Sequence, residues 1–233
     1  MEIKVLGSSS KGNAYLVTGG RTSLLLDAGL PYNELQKKSN FKLSGIDGCL
    51  ITHEHGDHSK AVSKLLGHGI ACYMSDGTAE ILHVNTNPFC YQVEPNKTFE
   101  VGRAKIKAFK TIHDAAEPVG FYISLNQDKL LYMTDTAYSK FTFKGLTHIL
   151  VECNYVGDII DKNVMQGVIP AKLRKRIQET HFSLDNVKDF LKANDLSKVK
   201  EIWLCHLSDA NSDAERFKGE IQQISGRPVY IAG

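Results

Sequence analysis

Four side chains of metal-binding type, His53, His55, Asp57 and His58, stand within six residues directly behind the short apolar run 49–52. A run of that length reads as a strand, and Gly56 inside the cluster is expected to let the next loop curl so that the four side chains converge. Convergence at a strand end is what a metal site needs, because binding residues sit on loops held by a rigid frame. Imidazole nitrogen and carboxylate oxygen suit Zn, Mn or Fe, and one short loop can serve two ions if alternate residues face opposite sides. The plain alternative is a solvated loop with chance histidines, and the density of ligand types weighs against it.

The frame around this cluster is legible as strands and helices in alternation. In the first half, 3–6, 14–18, 23–27 and 49–52 read as strands, with helices expected at 31–38, 59–67 and 76–83. Pro31 suits a first helical turn. From Thr98 the text returns to strands at 104–110, 119–125, 130–134 and 148–151, then to helices at 171–178 and 184–193. A strand at 201–205, a helix at 213–224 and a strand at 229–231 close the chain. Strand runs in both halves with helices between them imply an α/β (α+β) chain in which two sheets pack face to face with helices outside. That is a four-layer αββα sandwich, read as a single domain over 1–233.

Composition limits the classes without choosing a substrate. The 28 basic residues nearly balance the 26 acidic ones, so a net charge of +2 does not by itself imply nucleic acid. The five cysteines are odd in number, widely spaced and never in a CxxC pair, which argues against a disulfide framework or a structural zinc ribbon. No apolar run approaches the roughly 18 residues of a membrane span. A soluble cytoplasmic protein with no membrane contact and no obligate protein partner is the expectation.

Later in the chain, Thr111-Ile112-His113-Asp114 follows one strand, Thr134-Asp135-Thr136 another, and Cys205-His206-Leu207 a third. With the HxHxDH cluster, these residues make the sequence resemble the metallo-β-lactamase fold superfamily over nearly its whole length. The resemblance implies a dinuclear centre: His53, His55 and His113 on one divalent ion, Asp57, His58 and His206 on the other, Asp135 bridging. Such a set leaves room for a bridging water, and two ions, Zn or Mn, would lower its pKa enough to supply hydroxide near neutral pH. An aspartate at 135 resembles the glyoxalase and nuclease branches of the superfamily.

Two further segments narrow the resemblance. Leu6-Gly7-Ser8-Ser9-Ser10-Lys11-Gly12-Asn13 and His113-Asp114-Ala115-Ala116-Glu117-Pro118-Val119-Gly120, with Thr134-Asp135-Thr136 and Glu152-Cys153-Asn154-Tyr155, are similar to the YycJ/WalJ family of metal-dependent DNA exonucleases. This implies a nucleic acid substrate, DNA before RNA, hydrolysed with the help of Asp57 and of His181. In Thr180-His181-Phe182-Ser183, the imidazole is expected to bind the scissile phosphate or protonate the leaving oxygen. Ser183 is expected to cap the helix at 184–193, whose amide end could also face a phosphate. Lys172 and Arg174, in the basic run 172–176, are candidate backbone contacts, although such runs are usually solvated helix faces.

Asp27, Glu152 and Asn154 are expected behind the ligands, because ligating histidines usually donate their other nitrogen to a carboxylate or carbonyl. His68, His83 and His148 sit in no motif and are read as structural or surface groups. A small-molecule hydrolase on the same fold, such as a thioesterase or cyclic phosphodiesterase, is the alternative reading, and a metal-stabilised binding protein without turnover a more distant one.

Overall fold

The apolar runs of the first half pair into a six-stranded sheet. The computed structural model describes residues 1–233. It divides into two compact units, Met1–Lys110 with Ala115–Asp128 and Gly233, and Thr111–Asp114 with Lys129–Ala232. In the first unit the chain runs β1 (Glu2–Gly7), β2 (Ala14–Gly19), β3 (Thr22–Leu26), α1 (Tyr32–Lys38) and β4 (Gly48–Leu50). It continues through α2 (Gly56–Ser59), α3 (Val62–Gly67), β5 (Cys72–Met74), α4 (Asp76–Ile81) and β6 (Cys90–Gln92).

The sheet order is β1-β2-β3-β4-β5-β6, antiparallel through β3 and parallel from β3 to β6. Helices cross between successive parallel strands, so β4 is buried throughout, as parallel strands normally are. Leu25, Cys49, Ile51, Leu35, Leu65, Leu66 and Met74 share one core. The antiparallel run β7 (Thr98–Val101), β8 (Ala104–Lys110) and β9 (Val119–Leu125) completes the unit.

The second unit carries a parallel run of β10 (Asp128–Met133, whose first residue belongs to the first unit), β11 (His148–Glu152), β12 (Glu201–Cys205) and β13 (Val229–Ile231). Between the strands lie α5 (Gly157–Met165), α6 (Ala171–Thr180), α7 (Leu184–Ala193) and α8 (Ala214–Ser225). β11 is buried at all five positions. Ser183 caps α7 through its hydroxyl, which accepts from Asn186 N, as the sequence implied.

Three local expectations change. Pro31 is the residue before the first helical turn, with ψ 140°, instead of the first helical residue. The segment after β4 is not an irregular loop: Gly56–Ser59 is a helical turn followed by α3, and Gly56 does not adopt a positive φ. A Cβ built at Gly56 meets nothing within 4 Å, so glycine is not what bends the chain there. The strands β5, β6 and β7 and the helix α5 are not expected from the sequence. No helix is long and apolar enough to cross a membrane. All five cysteines are free thiols, four of them buried.

Candidate functional site

In an open parallel sheet, binding residues gather beyond the carboxyl ends of the strands. In the first unit Asp27 follows β3 and Thr52 to His58 follow β4, its neighbour in the sheet. Asp27 has φ 54°, a left-handed backbone that costs a non-glycine residue about 1 kcal/mol or more. That geometry lets its buried carboxylate turn back on the cluster. Oδ1 accepts from Thr52 N at 2.8 Å, and Oδ2 takes His58 Nδ1 at 2.7 Å.

The Thr52 hydroxyl also donates to Asp27, so its oxygen accepts from His53 Nδ1 at 3.0 Å. One carboxylate thereby fixes the tautomers of two histidines, His58 directly and His53 through Thr52, and makes Nε2 the nitrogen each would offer to a metal. Donor atoms on one tetrahedral ion at about 2.0–2.1 Å are about 3.3 Å from each other. His53 Nε2 and His55 Nδ1 stand 3.1 Å apart, and Asp57 Oδ2 and His58 Nε2 3.4 Å apart. The donors and their spacing fit divalent ions.

Backbone bonds hold this cluster against the β1–β2 loop. Asn13 N donates to Asp57 O at 2.7 Å, Gly29 N to Asn13 O at 2.9 Å and Ala28 N to His58 O at 2.8 Å. The Asn13 side chain reaches His58 Nε2 at 3.2 Å and the Asp57 carbonyl at 3.3 Å. Asn13 is a site residue that motif reading left among the small polar residues of 6–13. Its signal was the invasion of that loop by a single amide, which only the fold interprets.

The second unit repeats the device on three adjacent parallel strands. Asp135 follows β10, Glu152 ends β11 and His206 follows β12, so the register Met133↔Val151↔Leu204 brings all three to one edge. Asp135 and His206 have φ 46° and 51°. Strained backbone at three strand ends that carry candidate ligands or their supports is the pattern of a functional site.

Glu152 is fully buried and is the hub here. Oε2 accepts from Thr136 N at 3.2 Å and Phe182 N at 3.0 Å, while Oε1 takes His181 Nδ1 at 2.6 Å and His206 Nδ1 at 3.0 Å. Burial opposes its charge, but the His181 imidazole and the hydrogen bonds from His181 and His206 hold the carboxyl below the usual carboxylate range. In turn, burial opposes protonation of His181, and the Glu152 carboxylate outweighs it, raising that imidazole above its ordinary value.

His113 is oriented differently. Its Nδ1 donates to the Thr180 carbonyl at 2.8 Å, and Nε2 lies 3.4 Å from Asp135 Oδ2, again the spacing of two donors on one ion. Burial pushes the His113 imidazole down, with Asp135 acting the other way. A neutral ring with a free lone pair is the form that ligates. Asp135, Glu152, His181 and His206 offer donor atoms all within 4.8 Å of one another. Asn154 supports His206 by donating to its carbonyl at 2.9 Å.

The structure thus places the expected residues in two sets, His53, His55, Asp57 and His58 with Asp27, and His113, Asp135 and His206 with Glu152, Asn154 and His181. The basic run fares otherwise. Arg174 pairs with Asp161 at 2.6 Å, Arg176 with Asp114 at 2.8 Å and Lys175 with Glu179 at 3.7 Å, leaving Lys172 as the cation of the run with no such pair. The hydroxyl of Ser183 is committed to its helix cap. His148 is buried against Thr147 and His68 stacks on Tyr32 at 4.5 Å, both structural as expected.

The Asp27 arrangement has a direct consequence. Asp27→Asn removes the charge that fixes two imidazoles and is expected to weaken metal affinity about 10–100-fold, measured by competition with a chromophoric chelator. Affinity equal to the parent protein's would show that Asp27 only shapes the turn.

The chain is similar to known proteins over most of its length. The family model for the beta-lactamase superfamily domain matches residues 22–207. The chain is 29% identical to the exodeoxyribonuclease YycJ of Bacillus anthracis, over 96% of this chain and 89% of that one. The metallo-beta-lactamase fold protein YhfI of Bacillus subtilis is 18% identical with a TM-score of 0.74, covering 99% of this chain and 95% of its own. A diphosphatase of the PhnP family is also 18% identical, with a TM-score of 0.70 over 99% of this chain and 93% of that one.

Proposed function

We propose, from the premise that this chain belongs to the beta-lactamase superfamily domain family and shares its metallohydrolase fold, that it is a metal-dependent phosphodiesterase acting on nucleic acid, a DNA exonuclease. The two units are read as one hydrolase domain over 1–233 whose ligand sets serve one dinuclear centre: His53, His55 and His113 for one ion, Asp57, His58 and His206 for the other, with Asp135 shared. Bound there, two divalent ions, Zn or Mn, would supply an activated water near neutral pH and would neutralise charge on the phosphate.

The chain's own residues then divide the remaining work. Asp27, through Thr52 and His58, holds imidazole lone pairs toward the ions, and Glu152 does the same for His206. His181 is the proton donor to the departing sugar oxygen. The observation that carries the reading is the buried Glu152 carboxylate bound to His181 Nδ1 at 2.6 Å, which orients the ring and favours its protonated form. A hydrolase of phosphodiesters with a poor alkoxide leaving group needs such an acid. The likeness to an exodeoxyribonuclease supports DNA as the polymer.

A second reading, hydrolysis of a small ester or cyclic phosphodiester, is favoured by the paired state of Arg174, Lys175 and Arg176, which leaves Lys172 to meet a polymer backbone. End-labelled linear duplex DNA, single-stranded DNA and RNA, offered to Mn- and Zn-loaded protein beside a cyclic phosphodiester, separates the two. Metal-dependent shortening of DNA, abolished in Asp57→Ala, is expected. Turnover of the small ester with every polymer left intact would overturn the nuclease reading and keep the metallohydrolase.

A further inference from the structure

Away from the residues discussed so far, the second unit has a cavity of about 510 Å³ lined by Lys218, Gln222, Arg227 and Tyr230 with the Gly226–Pro228 turn. Small-molecule sites commonly fall between about 300 and 1,000 Å³. We propose that this cavity binds a nucleoside 5′-phosphate unit, its base stacked on Tyr230 and its phosphate held by Lys218 and Arg227.

The aromatic wall is rigid for a structural reason. Trp203 and Tyr230 are register partners on β12 and β13, and their rings stack with centroids 4.9 Å apart and planes 27° from parallel. One face of Tyr230 therefore rests on the indole. β13 is the edge of its sheet, so no further strand covers the other side, and Tyr230 stays 43% exposed. A tyrosine ring backed by a tryptophan and open in front is a stacking platform, and base–aromatic stacking tolerates any base because each has a π-face.

Two cations and an amide surround that platform. Lys218 and Gln222 lie four residues apart on α8, hence on one face of it, and both line the cavity. Arg227 is anchored by Nη2 donating to the Ser197 carbonyl at 3.0 Å, and its charge also acts on the Asp195 carboxylate. Of the acids at α8, Glu220 is turned to Lys188 and Arg216 and the N-cap Asp213 to Arg216 N, while Glu215 stands three residues before Lys218. The cavity thus joins a flat apolar surface to positive charge, the two features a nucleotide presents in reverse. This inference stands apart from the hydrolytic reading, since it uses none of the proposed ligands.

Trp203 is the chain's single tryptophan and sits directly behind the platform, so its fluorescence reports on occupancy. The test titrates metal-loaded protein with dAMP, deoxyadenosine, ribose 5-phosphate and a short oligodeoxynucleotide, with equilibrium dialysis of labelled dAMP alongside. Saturable dAMP binding, roughly tenfold or more tighter than either fragment, is expected. Tyr230→Ala and Lys218→Ala should each weaken it by a similar factor while hydrolysis of a small phosphodiester is unchanged. Tighter binding of the oligonucleotide would identify the occupant as a strand, and equal binding as a free nucleotide. Ribose 5-phosphate binding as well as dAMP, or dAMP binding that survives Tyr230→Ala, would overturn the site.

Discussion

His181→Ala is expected to slow DNA hydrolysis by about 10²–10⁴-fold while slowing bis(p-nitrophenyl) phosphate by about tenfold or less. The difference follows from the leaving group. A sugar alkoxide must gain a proton as it departs, whereas p-nitrophenolate is stable as an anion near neutral pH. His181 is suited to the task because the Glu152 carboxylate accepts a hydrogen bond from its Nδ1 at 2.6 Å and raises the ring's affinity for the second proton. Its ring is only 16% exposed and stacks on His206 with centroids 5.5 Å apart, so it cannot swing into solvent without losing both contacts. Steady-state rates on the two substrates decide the matter. Equal losses on both would mean that His181 binds phosphate or shapes the site and does not act as the acid.

The second large effect concerns Gly29. A Cβ built there lies 1.6 Å from the Asp57 carbonyl oxygen and 2.7 Å from Asn13 N, both backbone atoms that no rotamer change can move. These are the atoms that join the β1–β2 loop to the metal cluster, with Gly29 N itself donating to Asn13 O. Gly29→Ala must therefore pull Asp57 and His58 away from Asn13 and Asp27. A destabilisation of about 3 kcal/mol is expected, roughly 6–12 °C in Tm for a chain of this size, together with loss of metal affinity. Gly56→Ala is the control: nothing lies within 4 Å of the new carbon, and alanine suits a helical position, so Tm should hold or rise slightly. Comparable losses in both variants by calorimetry would refute this assignment of roles.

That pair also shows where sequence reading worked and where it failed. β8, β9, α7, β12 and β13 have the bounds their periodicity implied, because each buries one clear face or both. The residue types of the site were legible too, since chance rarely sets three histidines and an aspartate so close together at a strand end. The glycine that matters was not, because close approach is made by residues 13 and 57, distant in sequence from 29. Helix α5 escaped notice since it starts at a glycine and buries only Ile160. The basic run looked free for a polymer backbone until the fold set Asp161 and Asp114 beside Arg174 and Arg176. Thr52 and Asn13 were likewise hidden, as relays and clamps have no spacing of their own.

Metal content per chain, measured after equilibration with Zn or Mn and removal of excess, tests the dinuclear centre most directly. Two ions are expected in the parent protein, one in His113→Ala, and a loss involving both sites in Asp135→Ala, because Asp135 is assigned to both ions. A single ion in the parent protein, or two ions undiminished in Asp135→Ala, would contradict it.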